Sequence, residues 1–259
     1  MGGFSFASVI LSYFLVSGGL LTGTLAIGYI KPTSEIVAYA LFAVGAFVGG
    51  FVAARASRGS TIIEPAIGAV LLIATIVLMV GGTSIGKLMW NASSTETTKF
   101  VAILAGCSAV GALGGAFVSE KFFGDATESS LPWIIYTSFS TFGACFMATF
   151  IAAVIAVGGH TEEAAKAVDT IAKMTLAGVA IGCLVAGLAI GASARTRALG
   201  ASFLGGGVGV AGFFLLVTRD TVGHDKDAAA GVAVLAIGGA ILTLLGSAIG
   251  WATVGKRTA

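Results

Sequence analysis

Long apolar runs joined by short polar connections fill almost the whole chain. Each run is close to the roughly 20 residues that an α-helix needs to cross the hydrocarbon core of a bilayer. The runs are continuous, whereas the strands of a membrane barrel alternate in polarity over about 10 residues. The pattern therefore predicts an all-α integral membrane protein with a single transmembrane domain over residues 1–259. About eight transmembrane helices are predicted, at Phe4–Ile30, Glu35–Ala54, Ile62–Gly82, Phe100–Val118, Leu131–Val157, Thr170–Ala192, Leu199–Val217 and Ala228–Ala252.

The even-numbered runs share a pair of glycines four residues apart, and a basic residue follows ten positions after the first glycine. Small residues let membrane helices approach closely, so these glycines are predicted to be helix-packing positions. The pairs are Gly45 and Gly49, Gly111 and Gly115, Gly187 and Gly191, and Gly246 and Gly250. The common spacing predicts four tandem, parallel two-helix repeats, over 1–58, 59–124, 125–197 and 198–259. Abundant glycine combined with ordinary basic residues at helix ends is the alternative explanation.

Composition excludes a soluble domain and gives no support for a nucleic-acid partner. Only 10% of the residues are charged and 57% are hydrophobic, whereas about a quarter of the residues of a soluble domain are charged. The surface is therefore predicted to contact the lipid bilayer and other membrane subunits or a second copy of the chain. The net charge of +2 is too small to indicate binding to nucleic acid.

Two kinds of polar residue stand out as candidates for an ion, proton or substrate site. Glu64 opens the third run, and a carboxylate inside a membrane segment is a functional candidate. The alternative, which we favour, is an interfacial acid that caps its own helix, with Pro65 at the first helical position. Ser140 and Thr141 belong to the hydroxyl-rich fifth run, which resembles the first run in this respect. Such hydroxyls either line a solute path or, more often, bond to backbone carbonyls as packing contacts.

The remaining polar and small residues are read as structural. His160 and His224 lie beside carboxylates in connections, but their spacing matches no known metal-ligand pattern, and no metal or cofactor is predicted. Lys99 and Lys173 lie near helix starts, where their side chains can reach the headgroups. The glycine cluster 205–209 indicates either a local helix break or very close helix packing. The three cysteines are read as small buried hydrophobic residues: Cys107, Cys145 and Cys183.

The absence of paired Ser and His, of His clusters and of paired acids within the apolar runs argues against an enzyme. A non-catalytic scaffold or anchor subunit of a larger membrane complex, held by glycine-rich helix seams, is the leading interpretation. The alternative is a small-solute or ion transporter or channel, whose path would follow the hydroxyl-rich first and fifth helices.

The arginines predict the orientation of the chain. If all eight runs cross the bilayer, five of the six arginines lie on the side that holds both termini. Arginine-rich loops prefer the cytoplasm, so both termini are predicted to be cytoplasmic.

This orientation is testable at Arg58. In a variant without native cysteines, Arg58→Cys is expected to react with a membrane-impermeant maleimide only after the cytoplasmic side has been opened. Labelling of intact cells from outside would reverse the assigned orientation.

Overall fold

A computed structural model describes residues 5–56, 62–81, 94–123, 130–159, 164–194, 198–218 and 226–254. Within these ranges the all-helical prediction is confirmed, because they form eight α-helices and no strand. A five-residue π-helical turn, Ser119–Phe123, continues the fourth helix. The helices are α1 (Phe6–Ile30), α2 (Glu35–Ala56), α3 (Ile63–Gly81), α4 (Ser94–Val118), α5 (Ser130–Gly159), α6 (Ala164–Ser193), α7 (Leu199–Val217) and α8 (Lys226–Val254).

Seven of the helices in the described ranges are long and apolar enough to span a membrane, as expected for a multi-pass membrane protein. The apolar part of α3, Ile63–Met79, is shorter than the others, so the count of eight crossings stays a prediction. The bounds of α7 agree with the sequence, whereas α4 and α6 begin at Ser94 and Ala164, six residues before the predicted starts. Both helices continue into polar sequence beyond the apolar run, and hydropathy alone does not detect that continuation.

The helices form two four-helix halves with the same neighbour relations. In the first half, α1 packs against α2 and α3, and both of these pack against α4. In the second half, α5 packs against α6 and α7, and both of these pack against α8. The halves meet mainly where α1 packs against α5, with a smaller contact between α1 and α6.

The correspondence of the halves extends to individual residues. A Cβ atom placed on Gly50 of α2 would meet the carbonyl oxygen of Ala112 of α4, and one on Gly191 of α6 would meet that of Ser247 of α8. Likewise, Gly115 faces Phe47 as Gly250 faces Leu188. The offset is 141 residues between α2 and α6 (191−50, 188−47) and 135 between α4 and α8 (247−112, 250−115). Equivalent glycines therefore make equivalent contacts in the two halves.

The pair α1 and α5 lies at the centre of this arrangement. A Cβ on Gly18 would lie 2.6 Å from the carbonyl oxygen of Phe139, and one on Gly143 would meet the carbonyl oxygen of Phe14. These contacts interchange under an offset of 125 residues (143−18, 139−14). Leu11 clusters with residues near the start of α5, and Leu21 with residues near its middle, so the two helices run in the same direction.

The structure places all eight predicted packing glycines at helix crossings within one chain. Three of the four pairs lie where an even-numbered helix meets another: Gly111 and Gly115 face α2, Gly187 and Gly191 face α8, and Gly246 and Gly250 face α6. The pair Gly45 and Gly49 faces α1 instead: a Cβ on Gly45 would lie 2.5 Å from the Gly19 oxygen, and one on Gly49 would lie 2.6 Å from Val16 Cα. The four-unit repeat therefore stays a prediction, whereas the glycine contacts between α2 and α4 recur once, between α6 and α8.

The glycine cluster of α7 does not break the helix, because α7 is continuous from Leu199 to Val217. The close-packing interpretation describes the geometry instead. A Cβ on Gly205 would lie 2.6 Å from the carbonyl oxygen of Ile134, and one on Gly206 would lie 2.7 Å from Thr243 Cβ. The glycines thus let α7 approach α5 on one side and α8 on the other.

Two adjacent glycines of α4 test the importance of these crossings. Gly115→Ala is expected to lower the free energy of unfolding by about 1–3 kcal/mol, because the added methyl group meets the α2 backbone at Phe47. Gly114→Ala is the matched control, since its methyl group would meet only the Phe47 ring, at 3.6 Å. Denaturation of the purified protein in detergent measures both. Equal effects of the two variants would contradict the assigned crossing.

Candidate functional site

The helices that meet at the junction between the halves, α1 and α5, carry many hydroxyls, and most of these hydroxyls bond to their own helix, whether buried as at Thr137 or exposed as at Thr22 and Thr24. Thr22 and Thr24 donate to the carbonyl oxygens of Gly18 and Leu20, both at 2.9 Å. On α5, Thr137 donates to Trp133 oxygen at 2.7 Å, and other hydroxyls of this helix do the same one turn back. Such bonds satisfy the hydroxyl without water, which is the geometry of a packing contact.

A smaller set of hydroxyls joins different helices. Ser17 of α1 donates to the carbonyl oxygen of Gly143 on α5 at 3.3 Å, at the contact between the halves. Thr141 donates to Thr137 oxygen at 2.8 Å and also reaches Gly205 oxygen on α7 at 3.4 Å. Thr141, one of the predicted site residues, is thereby placed in the α5–α7 crossing, where its hydroxyl occupies the space that a Cβ on Gly209 would need.

Ser12 and Ser140 differ from these residues because their fully buried hydroxyls have no hydrogen-bond partner in the structure. A buried polar group without a partner costs roughly 1–3 kcal/mol, so each marks a place where water or a ligand would be stabilised. Ser12 packs against Gly68 of α3. Ser140, the other predicted hydroxyl of α5, lies one helical turn before Ala144, which lines a cavity.

That cavity lies between α1, α5 and α6 and has a volume of about 500 Å³. Its inner wall includes the buried residues Ala144 and Met147, and Tyr13 and Phe14 of α1 complete it. Ile181 belongs to the rim and is 65% exposed, so the cavity opens sideways onto the outer apolar surface. Both halves contribute to its lining, which is almost wholly apolar.

A second cavity, of about 320 Å³, lies between α1, α5 and α7. Leu21 and Leu25 of α1 face phenylalanine rings of α5 and α7 across it, and Thr149 is the one hydroxyl-bearing residue among the described residues of its lining. Thr149 donates its hydroxyl proton to Cys145 oxygen at 2.9 Å, so this proton is not available to a group inside the cavity. Both cavities at the junction are therefore suited to apolar groups rather than to ions.

Glu64 is more buried than its position at the edge of an apolar run indicated. It is the second residue of α3 and only 5% exposed. Pro65 is the third helical residue rather than the first, and it is fully buried. Pro is compatible with this position because the amides of the first turn have no partner within the helix. Glu64 lies at the start of α3 and is not among the described residues that line the two junction cavities.

The other polar candidates do not converge on the junction. Lys99 and Lys173 are exposed, as expected for side chains that reach the headgroups. His160 and His224 fall outside the described residues. Among the residues that the structure does describe, no three His, Cys, Asp or Glu side chains come together as a possible metal site.

Sequence reasoning missed the residues that shape the larger cavity. Gly178 and Gly182 of α6 lie against Ala148 and Ala144 of α5. A Cβ added to Gly178 would lie 3.1 Å from the Cβ of Ala148, and one added to Gly182 would lie 3.2 Å from the Cβ of Ala144. They form a further pair four residues apart, and that spacing could have singled them out. Nothing in the sequence indicated that Tyr13 faces the same cavity, because which side of α1 turns to α6 depends on the packing of the whole bundle.

Ser140 provides a test of whether the junction holds anything besides protein. Ser140→Ala removes an unpartnered buried hydroxyl and is expected to raise the free energy of unfolding by about 1 kcal/mol. Ser138→Ala is the matched control: its hydroxyl donates to Ile134 oxygen at 2.8 Å, so the substitution is expected to bring no gain. Destabilisation by Ser140→Ala would instead reveal a partner for this hydroxyl, such as a buried water or ligand.

No protein-family model matches the sequence, and neither a curated protein nor a solved structure matches it. What supports a function is therefore the geometry of the chain itself.

Proposed function

We propose that this chain is a non-catalytic, membrane-embedded scaffold that assembles with other membrane subunits. The observation that carries the proposal is how the buried polar and small residues are used. The eight packing glycines and most hydroxyls of α1 and α5 make contacts within the chain, and the junction cavities are apolar. Among the residues that the structure describes, the interior offers neither paired acid–base groups for catalysis nor a polar route for an ion.

The surface between α2 and α4 is the part of the outer face best suited to a partner helix. A groove of about 480 Å³ runs between them, lined by Val44, Phe47 and Val110 among other apolar residues. At Gly106 an added Cβ would meet no atom within 4 Å. A helix from another subunit could therefore bring its backbone close to α4 at this point, as small residues allow in membranes.

Intact-complex mass spectrometry after gentle detergent extraction from the native membrane tests the scaffold. We expect other membrane polypeptides to remain bound in a fixed ratio. Gly106→Leu is expected to release partner subunits without loss of the chain itself. Gly212→Leu on α7 is the control, since Gly212 is also open on its Cβ side. Recovery of the wild-type chain alone, or only as a homo-oligomer, would contradict the proposal.

A transporter is the second candidate, favoured by the correspondence of the two halves. Many transporters consist of repeated halves with a substrate site at their interface, and here two cavities lie where the halves meet. Loss of cellular uptake in Glu64→Gln, with normal amounts of protein, would favour transport over scaffolding. Unchanged uptake in Glu64→Gln and in a variant with a bulky residue at position 207 would argue against the transporter function.

A further inference from the structure

The larger cavity at the junction is a narrow slot that follows the helices. Its lining extends from Ala144 to Ile155 on α5 and from Met174 to Val185 on α6. Each stretch advances by eleven residues, which is about 16 Å at the helical rise per residue. A volume of about 500 Å³ spread over that length gives a mean cross-section of only about 30 Å².

The slot lies within one leaflet of the bilayer. The apolar span of α5 is Leu131–Ile155, so Ala144 lies near its middle and Ile155 at its end. The hydrocarbon core of a bilayer is about 30 Å thick, and one leaflet contributes about 15 Å of it. The slot therefore extends from the middle of the membrane to one interface, over the depth that the chains of a single leaflet occupy.

An alanine in place of a glycine separates α5 from α6 at this slot. The offset of 125 residues between α1 and α5 relates Gly19 to Ala144. In the first half, a Cβ on Gly19 would meet the carbonyl oxygen of Gly45 on α2, so the two backbones touch. In the second half, a Cβ on Gly182 of α6 would remain 3.4 Å from the carbonyl oxygen of Ala144, whose methyl group lies between the helices. The second half thus leaves space between helices whose counterparts are in contact.

One side of the slot opens onto the lipid-facing surface. Ile155 and Ile181 line it and are 46% and 65% exposed, whereas Ala144 and Met147 of its inner wall are 1% and 2% exposed. At this depth the molecules that reach the opening are hydrocarbon chains. A chain inside the slot gains dispersion contacts on several sides, whereas a chain against a smooth helix gains them on one side.

We propose that the slot binds one acyl chain of a membrane phospholipid. The chain enters between Ile155 and Ile181, its terminal methyl group lies at the inner end near Met147 and Tyr13, and its headgroup stays at the interface where α5 ends. The headgroup does not enter, because a phosphate in this apolar lining would be strongly destabilised. The slot therefore recognises the length and width of a single hydrocarbon chain.

Photo-cross-linking of the full chain tests this proposal. The probe is a phosphatidylcholine that carries a diazirine next to the terminal methyl group of one palmitoyl chain, mixed into phosphatidylcholine vesicles that contain the protein. Peptide mass spectrometry after illumination is expected to find the probe on Met147, although this side chain is only 2% exposed. Val208, which is 58% exposed near the middle of α7, reports contact with the surrounding bilayer. Labelling of Val208 without Met147 would overturn the proposal.

Two identical substitutions on α6 separate the slot from the rest of the surface. Ala177 is exposed and lines the slot, so Ala177→Phe adds a ring at its opening and is expected to lower labelling of Met147 several-fold relative to Val208. Ala172→Phe is the matched control, because Ala172 is exposed and lies outside the described lining. Equal effects of the two variants would contradict the site. Labelling of Met147 only by a free fatty acid with the same diazirine would also overturn it.

Discussion

Direct contact between helix backbones, at positions that carry no side chain, is the constraint on which the rest of this structure depends. Lipid chains are as apolar as leucine, so burial of apolar surface gives membrane helices little reason to associate. Close van der Waals contact replaces that driving force. It is made at Gly50 against Ala112 in the first half, at Gly191 against Ser247 in the second, and at Gly18 against Phe139 between them.

This close approach also determines how polar groups are satisfied. Water is excluded from a crossing where backbones touch, so a hydroxyl there must bond to a carbonyl or to another hydroxyl. Thr141 does so within the α5–α7 crossing, and Ser202 of α7 donates to Ser247 of α8 at 3.0 Å. The unpartnered hydroxyls of Ser12 and Ser140 are exceptions among the described residues. Polar residues thus reinforce the packing that glycine permits, and the junction cavities stay apolar.

The length and continuity of the apolar runs were sufficient to predict the helices, with Leu199–Val217 correct at both ends. They could not predict which neighbour each glycine meets, because that depends on the rotation of every helix in the bundle. Gly45 and Gly49 face α1, whereas Gly50, one residue further, makes the contact with α4. That Cys145 and Cys183 belong to one buried apolar cluster was beyond sequence for the same reason. Burial of Glu64 was missed because hydropathy locates the edge of an apolar run but not what packs over it.

The most direct test of this packing is a cross-link between α2 and α4 that reports whether the crossing lies within one chain. Phe47 and Gly114 are suitable positions, because a Cβ at Gly114 would be 3.6 Å from the Phe47 ring. In a chain lacking its native cysteines, Phe47→Cys with Gly114→Cys is treated with a short bis-maleimide. We expect one linker per chain at the mass of the monomer. A product at twice that mass, or no bridged product, would contradict crossings that close within one chain.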